Sequence, residues 1–101
     1  MIKHIVFFGL AENAEGKTKA ENALYIKQEL ENLKNIIPEI KMIEVGINHK
    51  DAAEINMDVA LNSEFESMET LETYQMHPEH KKIAAFIAKV RVSRACVDYE
   101  F

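Results

Sequence analysis

The sequence predicts an α+β fold in which two helical units cover one face of a four-stranded antiparallel sheet. Four segments have the apolar patterns of β-strands, and two regions between them have helical spacing. Their order along the chain is βαββαβ, the ferredoxin-like order, in which a right-handed crossover puts both helical units on the same side of the sheet. Because 101 residues are close to the usual size of one domain, residues 1–101 are expected to form a single domain.

The first strand is predicted at residues 2–10, which are apolar on both faces apart from Lys3 and His4. A helix then begins after Thr18, because Thr18 and Glu21 have the spacing of a capping box. It should end before Pro38, since the residue before a proline avoids helical geometry. Its apolar stripe consists of Ala23, Ile26, Leu30, Leu33 and Ile37.

Strands two and three are predicted at residues 41–48 and 55–65, where apolar and polar residues alternate. Ser67 can then cap a short helix, and Pro78 suits the first turn of another, so that the two can form one bent unit. The fourth strand is predicted at residues 92–101, which also alternate. The four strands complete the sheet.

One face of this sheet would have no helix on it. That face would hold either Ile5 and Phe7 or Val6 and Phe8 from the first strand. An exposed apolar patch of this kind usually marks an interface. A twofold homodimer, with the two sheets packed face to face, follows as a hypothesis.

Composition and charge exclude several classes of function. The net charge is -5 and the basic residues are scattered, which argues against a nucleic-acid partner. No apolar run reaches the roughly 18 residues of a membrane span, and the N-terminus lacks the features of a signal peptide. The single cysteine, Cys96, cannot form an internal disulfide or a multi-thiolate metal site. A cytoplasmic protein without a membrane partner is therefore predicted.

Several short motifs resemble the stress-responsive A/B barrel (Dabb) family, and together they span nearly the whole chain. They are Ile2-Lys3-His4, Phe65-Glu66-Ser67, Tyr74, His77-Pro78-Glu79-His80 and Val97-Asp98-Tyr99. The resemblance implies a homodimeric α/β barrel. It implies a stress-responsive protein of unassigned activity, with a cavity for a small hydrophobic ligand. The alternative is a cofactor-independent enzyme that resembles the family's polyketide cyclase or the related monooxygenases.

For that alternative, the resemblance assigns catalysis to His4, Tyr74 and His80. A histidine can remove a proton next to a carbonyl near neutral pH, and a tyrosine hydroxyl can stabilise the enolate oxygen that forms. The structural interpretation stays open beside it. In that interpretation Tyr74 anchors a helix on the sheet, His77 caps the last helix, and His4 is a satisfied polar residue.

No cofactor and no metal site is predicted. The spacing of His77 and His80 suggests a metal, but zinc usually takes three protein ligands in catalytic sites. The resemblance leaves open a magnesium ion on backbone carbonyls near Lys34, Ile37 and Ile40. A further hypothesis is that the carboxyl groups of three strand residues meet in the interior, against the alternative that they are solvated or paired. These residues are Glu44, Asp58 and Asp98.

Overall fold

The structure is a computed structural model that describes residues 1–101. It has a ferredoxin-like α+β fold with a four-stranded antiparallel sheet and three α-helices, so the predicted fold class is confirmed. The strands of this sheet are β1 (Ile2–Leu10), β4 (Met42–Ile47), β5 (Val59–Phe65) and β6 (Arg91–Glu100). The helices are α1 (Lys19–Asn32), α2 (Met68–Met76) and α3 (Pro78–Val90). None of them is both long and apolar enough to cross a membrane.

Strand β1 lies in the interior of the sheet, whose order is β4-β5-β1-β6. It pairs with β5 on one side and with β6 on the other, antiparallel to both. His4 is opposite Ser63 on β5 and opposite Asp98 on β6. Directly opposite residues share a face of the sheet, so this register decides which side chains meet around β1.

The helix caps lie where the sequence predicts them. The Thr18 side chain accepts a hydrogen bond from the backbone of Glu21, and the Glu21 carboxylate accepts one from the backbone of Thr18. Ser67 caps α2 in the same reciprocal way with Thr70. The C-terminal helical unit is two separate helices, because the backbone at His77 is extended.

The ends of β4 and β6 differ from the prediction by one residue, and the larger differences lie elsewhere. Helix α1 ends at Asn32 and continues only as the 3-10 turn Leu33–Asn35, so it stops before Pro38. A short hairpin, β2 (Asn13–Ala14) with β3 (Lys17–Thr18), lies between β1 and α1, where no strand is predicted. Its turn is possible because both connecting residues, Glu15 and Gly16, have positive φ angles.

The third predicted strand begins too early, because residues 55–58 are not part of β5. The Asp58 carboxylate accepts a hydrogen bond from the backbone N–H of Leu10 at 2.7 Å. At the end of β1, the backbone N–H of Leu10 is thereby bonded to a side chain and not to a backbone carbonyl of β5. The regular ladder of β5 with β1 starts at Val59, opposite Phe8, and the Asp58 N–H adds one more backbone bond to the Phe8 carbonyl at 2.9 Å.

The core lies between the helices and one face of the sheet. Val6 and Phe8 are buried there, whereas Ile5 and Phe7 point to the other face. This settles the alternative that the sequence leaves open for β1. The buried apolar side chains of the sheet meet those of the helices in one cluster, whose helical members are Ala23, Ile26, Leu30, Leu71, Tyr74, Ile83, Ile87 and Val90.

The two edges of the sheet differ in how they are covered. At the β4 edge, the Lys27 ammonium donates to the backbone carbonyl of Val45 at 2.5 Å, and the Glu31 carboxylate accepts from the Val45 N–H at 3.0 Å. Lys27 and Glu31 also pair with each other at 2.8 Å. At the other edge, all ten residues of β6 are exposed, so the helices leave this strand uncovered.

The burial of α1 against the core predicts that truncating two of its apolar residues changes the free energy of unfolding by very different amounts. Ile26 is 0% exposed and Leu24 is 50% exposed. We expect Ile26→Ala to lower the free energy of unfolding by about 2–5 kcal/mol, because it leaves a cavity among packed side chains. Leu24→Ala is the matched control and should change it by less than about 0.5 kcal/mol. Urea unfolding measures both, and equal losses would contradict the assigned core.

Candidate active site

A cavity of about 170 Å³ lies between the helix-covered face of the sheet and α3. Much of its wall is apolar, and β1, β5, α1 and α3 supply these side chains. Its polar residues come from several elements. The apolar wall residues are Val6, Phe8, Leu30, Leu61, Ala84, Ile87 and Ala88, and the polar ones are His4, Gln75, His80, Arg91 and Arg94.

His80 is held in one orientation by the end of α2. Its Nδ1 lies 3.1 Å from the carbonyl oxygen of Gln75. Because a carbonyl only accepts, we assign the proton to Nδ1, which leaves the Nε2 lone pair without a partner in the protein. Burial lowers the pKa of His80, and the nearby His4, Arg94 and His77 act in the same direction, while the bond to Gln75 opposes them. His80 is therefore neutral at pH 7 and suited to accept a proton.

His4 is buried on β1 and faces the same cavity. Its Nδ1 lies 2.5 Å from a carboxylate oxygen of Asp98, which is its register partner on β6. An ionised carboxylate can only accept, so Nδ1 donates and Nε2 is left without a protein partner. His4 thus contacts an acidic side chain in a mostly apolar wall, and Asp98 fixes the orientation of its ring.

Tyr74 lies next to both histidines, but outside the cavity wall. Its ring centroid is 4.5 Å from that of His80 and 6.4 Å from that of His4. It also packs against Phe65 at 5.0 Å, and in this way holds α2 on the sheet. Its hydroxyl is buried and has no hydrogen-bond partner, and burial raises the pKa of this group. Tyr74 is therefore a neutral hydroxyl with a free proton to donate.

The three residues named from the family resemblance are thus neighbours in space. His4 and His80 line one cavity, and Tyr74 packs beside them. His77 is not turned into this cavity, because its Nδ1 accepts a hydrogen bond from the backbone of Glu79 at 3.1 Å and caps α3. This arrangement uses Nδ1 of His77 in the helix cap, as the structural interpretation of this residue predicts.

The hypothesis that three carboxyl groups meet in the interior is wrong. Glu44 is exposed on the face of the sheet that carries no helix. Asp58 is held at the end of β1 by the Leu10 N–H. Only Asp98 reaches the site, where it bonds to His4. The alternating pattern places carboxylates on strands, but it does not tell which of them share a face and an end of the sheet.

Two arginines complete the cavity, and the sequence interpretation assigned them no role. Arg91 and Arg94 lie at the start of β6 and line the cavity together with His80. None of the ion pairs of the chain includes either guanidinium. The sequence signal was two cations at the start of a strand, directly after the helix that carries the histidine motif.

Cys96 lies beside His4 and Asp98 on the exposed strand β6. Its sulfur is 3.8 Å from Nδ1 of His4 and 3.7 Å from the carboxylate of Asp98. Partial burial raises the pKa of the Cys96 thiol, Asp98 adds to this, and Arg94 opposes it. The thiol is thus protonated near neutral pH and is a poor nucleophile by itself.

Fold and cavity together define a class: a small ferredoxin-like α+β protein with an apolar cavity between sheet and helices, lined by histidines and arginines. Residues 2–101 match the family model of the Stress responsive A/B Barrel Domain, and the chain belongs to this family. The predicted family is therefore confirmed. Comparison with curated proteins gives no match. Membership of this family does not assign a biochemical activity to the chain.

Solved structures resemble this chain over almost its whole length. A dimeric ferredoxin-like protein of unknown function from Bacteroides fragilis is 36% identical, with a TM-score of 0.81, covering 99% of this chain and 95% of that one. A similar dimeric protein from Thermobifida fusca is 26% identical, with a TM-score of 0.81 and coverages of 99% and 90%. A hydroxynitrile lyase from Passiflora edulis is 20% identical, with a TM-score of 0.76 and coverages of 97% and 90%, and shows the fold alone.

Proposed function

We propose that the cavity binds a small, mostly apolar molecule that carries an anionic head group. The observation that carries this proposal is the pair of arginines, Arg91 and Arg94, which line an apolar cavity without an acidic partner in the chain. A guanidinium next to apolar surface binds a carboxylate through charge-assisted, often bidentate, hydrogen bonds. The chain has a net charge of -5, so these cations are a local exception to its overall charge.

The volume of the cavity limits the size of the ligand. A dry apolar cavity of about 150 Å³ is large enough to bind benzene. The cavity of about 170 Å³ therefore suits a molecule with one ring, or an aliphatic chain of similar volume. A longer ligand would have to extend toward solvent past the exposed strand β6.

A second candidate function is proton transfer on such a ligand. His80 supports it, because its ring is fixed by Gln75 and its Nε2 lone pair is free. The buried hydroxyl of Tyr74, which has no partner, is a donor for an oxygen that becomes negatively charged. Tyr74 lies behind the cavity wall, so a side-chain movement would have to bring its hydroxyl to the ligand.

We also infer that the chain acts as a homodimer formed through the helix-free face of the sheet. Phe7, 38% exposed, lies on this face between Ala60 and Ala95. Val97 and Tyr99 extend the apolar surface along β6. The similar proteins from Bacteroides fragilis and Thermobifida fusca are described as dimeric, which supports a second copy of this chain as the occupant.

The ligand proposal predicts selectivity for an anion on a ring. We expect benzoate to bind about tenfold more tightly than its neutral analogue benzamide, because a charge-assisted hydrogen bond contributes about 1.5–3 kcal/mol. Arg94→Gln should remove this preference, whereas Lys82→Gln on the surface of α3 should not. Ligand-observed NMR titration measures the affinities. Ala84→Leu narrows the cavity and should weaken the binding of benzoate. If this variant binds benzoate as tightly as the wild-type protein does, the site is elsewhere.

The proton-transfer proposal predicts exchange of hydrogen at a carbon next to a carbonyl. Phenylpyruvate in deuterated water should exchange its benzylic protons faster with the protein than without it, and His80→Gln should lower the excess rate about 10²–10⁴-fold. Neutral His80 is the active form, and its pKa lies below the usual histidine value. The rate should therefore be constant above that value and fall only at lower pH. A His80→Gln protein of full activity would refute the role of His80.

The dimer proposal predicts that a single charged substitution on the helix-free face dissociates the two copies. Phe7→Glu places a carboxylate in the centre of the apolar face and should reduce the mass in solution from two 11.6 kDa chains to one. Val97→Glu, on the same face of β6, should have the same effect. Leu24→Glu, on the exposed side of α1, is the control and should remain dimeric. Light scattering with circular dichroism distinguishes dissociation from unfolding, and a folded wild-type monomer would overturn the proposal.

A further inference from the structure

Three metal-ligating side chains meet where β1 pairs with the edge strand β6. They are His4, Cys96 and Asp98, and their ligand atoms all lie within 4.8 Å of one another. The Cys96 sulfur is 3.8 Å from Nδ1 of His4 and 3.7 Å from Asp98, and Nδ1 is 2.5 Å from Asp98. We propose that this cluster binds a divalent transition-metal ion, such as Zn²⁺ or Co²⁺, through one thiolate, one imidazole and one carboxylate.

The strand register fixes the backbone positions of the three ligands. His4 is the direct partner of Asp98 across the β1–β6 pair, and Cys96 is two residues before Asp98, on the same face of β6. The backbone therefore brings all three ligands to one side of two hydrogen-bonded strands. A site built on paired strands needs little ordering of the chain when the metal binds.

The distances are close to those of a tetrahedral site. With usual zinc bond lengths, the sulfur would lie roughly 3.6 Å from the nitrogen or oxygen ligand, and the nitrogen and oxygen about 3.4 Å apart. The two sulfur distances already agree with this geometry. Only the contact between His4 and Asp98 must open, and the Asp98 side chain is 28% exposed, so it borders solvent.

The chemistry of the donors decides the class of metal. Thiolate and imidazole favour Zn²⁺ and its neighbours over Mg²⁺ or Ca²⁺, which take oxygen ligands. On binding, the metal displaces the proton of the Cys96 thiol. The metal also takes the position of the Nδ1 proton between His4 and Asp98, and this proton moves to Nε2 of His4. The ion charge of +2 is then balanced by one thiolate and one carboxylate.

The surroundings leave a fourth position for water. Three protein ligands and one open position are the pattern of catalytic zinc sites. Strand β6 is exposed, so water can reach the cluster from outside. Arg94 is the one cation close to Cys96, and it lies on the side of the ligand cavity. This inference does not depend on the proposed ligand, because the cluster can hold an ion whether or not the cavity is filled.

Cobalt titration of the full-length, reduced protein tests the site. Because Cys96 is the only cysteine, a sulfur-to-cobalt charge-transfer band in the near ultraviolet can come from no other residue. We expect this band to saturate at one Co²⁺ per chain and Zn²⁺ to displace it. Cys96→Ser should abolish it, and Asp98→Asn and His4→Ala should each weaken Co²⁺ binding at least about tenfold. His49→Ala, an exposed histidine in the loop after β4, should leave it unchanged.

Two results would overturn the site. The first is the absence of a charge-transfer band at stoichiometric Co²⁺ in the folded wild-type protein. The second is a band that stays unchanged in Asp98→Asn, which would mean that Cys96 binds cobalt without this cluster. Because His4 is buried and its removal can disturb the fold, the exposed Asp98→Asn variant gives the decisive comparison, with circular dichroism as the check of folding.

Discussion

The position of β1 between β5 and β6 is the constraint on which the rest of the structure depends. Both pairings are antiparallel, and residues 2–8 of β1 each have a fixed neighbour on β5 and on β6, while the register with β6 shifts only between Gly9 and Leu10. His4 thereby receives Asp98 as its partner, and Val6 and Phe8 enter the core. A slip of one residue would turn His4 to the other face and would remove it from both the cavity and the metal-ligating cluster.

The helices cover the sheet unequally, and this concentrates the chemistry at one edge. Helix α1 reaches over β4, whereas β6 has no helix on it. The cavity ends at this uncovered strand, which supplies Arg91 and Arg94 to its wall and Cys96 and Asp98 to the neighbouring cluster. A fully covered sheet would be better packed, but it would leave no room for a ligand beside His80.

Local patterns in the sequence predicted most of the fold. Thr18 and Ser67 each cap a helix by bonding to the residue three positions later in the chain. The alternation of a strand likewise depends only on neighbouring residues. The start of β5 was missed because the bond of Asp58 to Leu10 joins residues 48 apart. The same limit applies to the site, where His4 and Asp98 are 94 residues apart. The family resemblance supplied His4, Tyr74 and His80, but it could not show that Tyr74 lies behind the cavity wall.

The contacts of Lys27 and Glu31 with Val45 also affect how copies of the chain can aggregate. A free strand edge is a template for another strand, and a chain with two free edges can grow into an open fibre. Here the centre of the β4 edge already has both of its backbone groups bonded to side chains of α1. The centre of β4 is therefore a poorer template for another strand than β6, which has no such side-chain contacts to its backbone. The pair of charged residues on α1 thus limits polymerisation as well as securing a helix to the sheet.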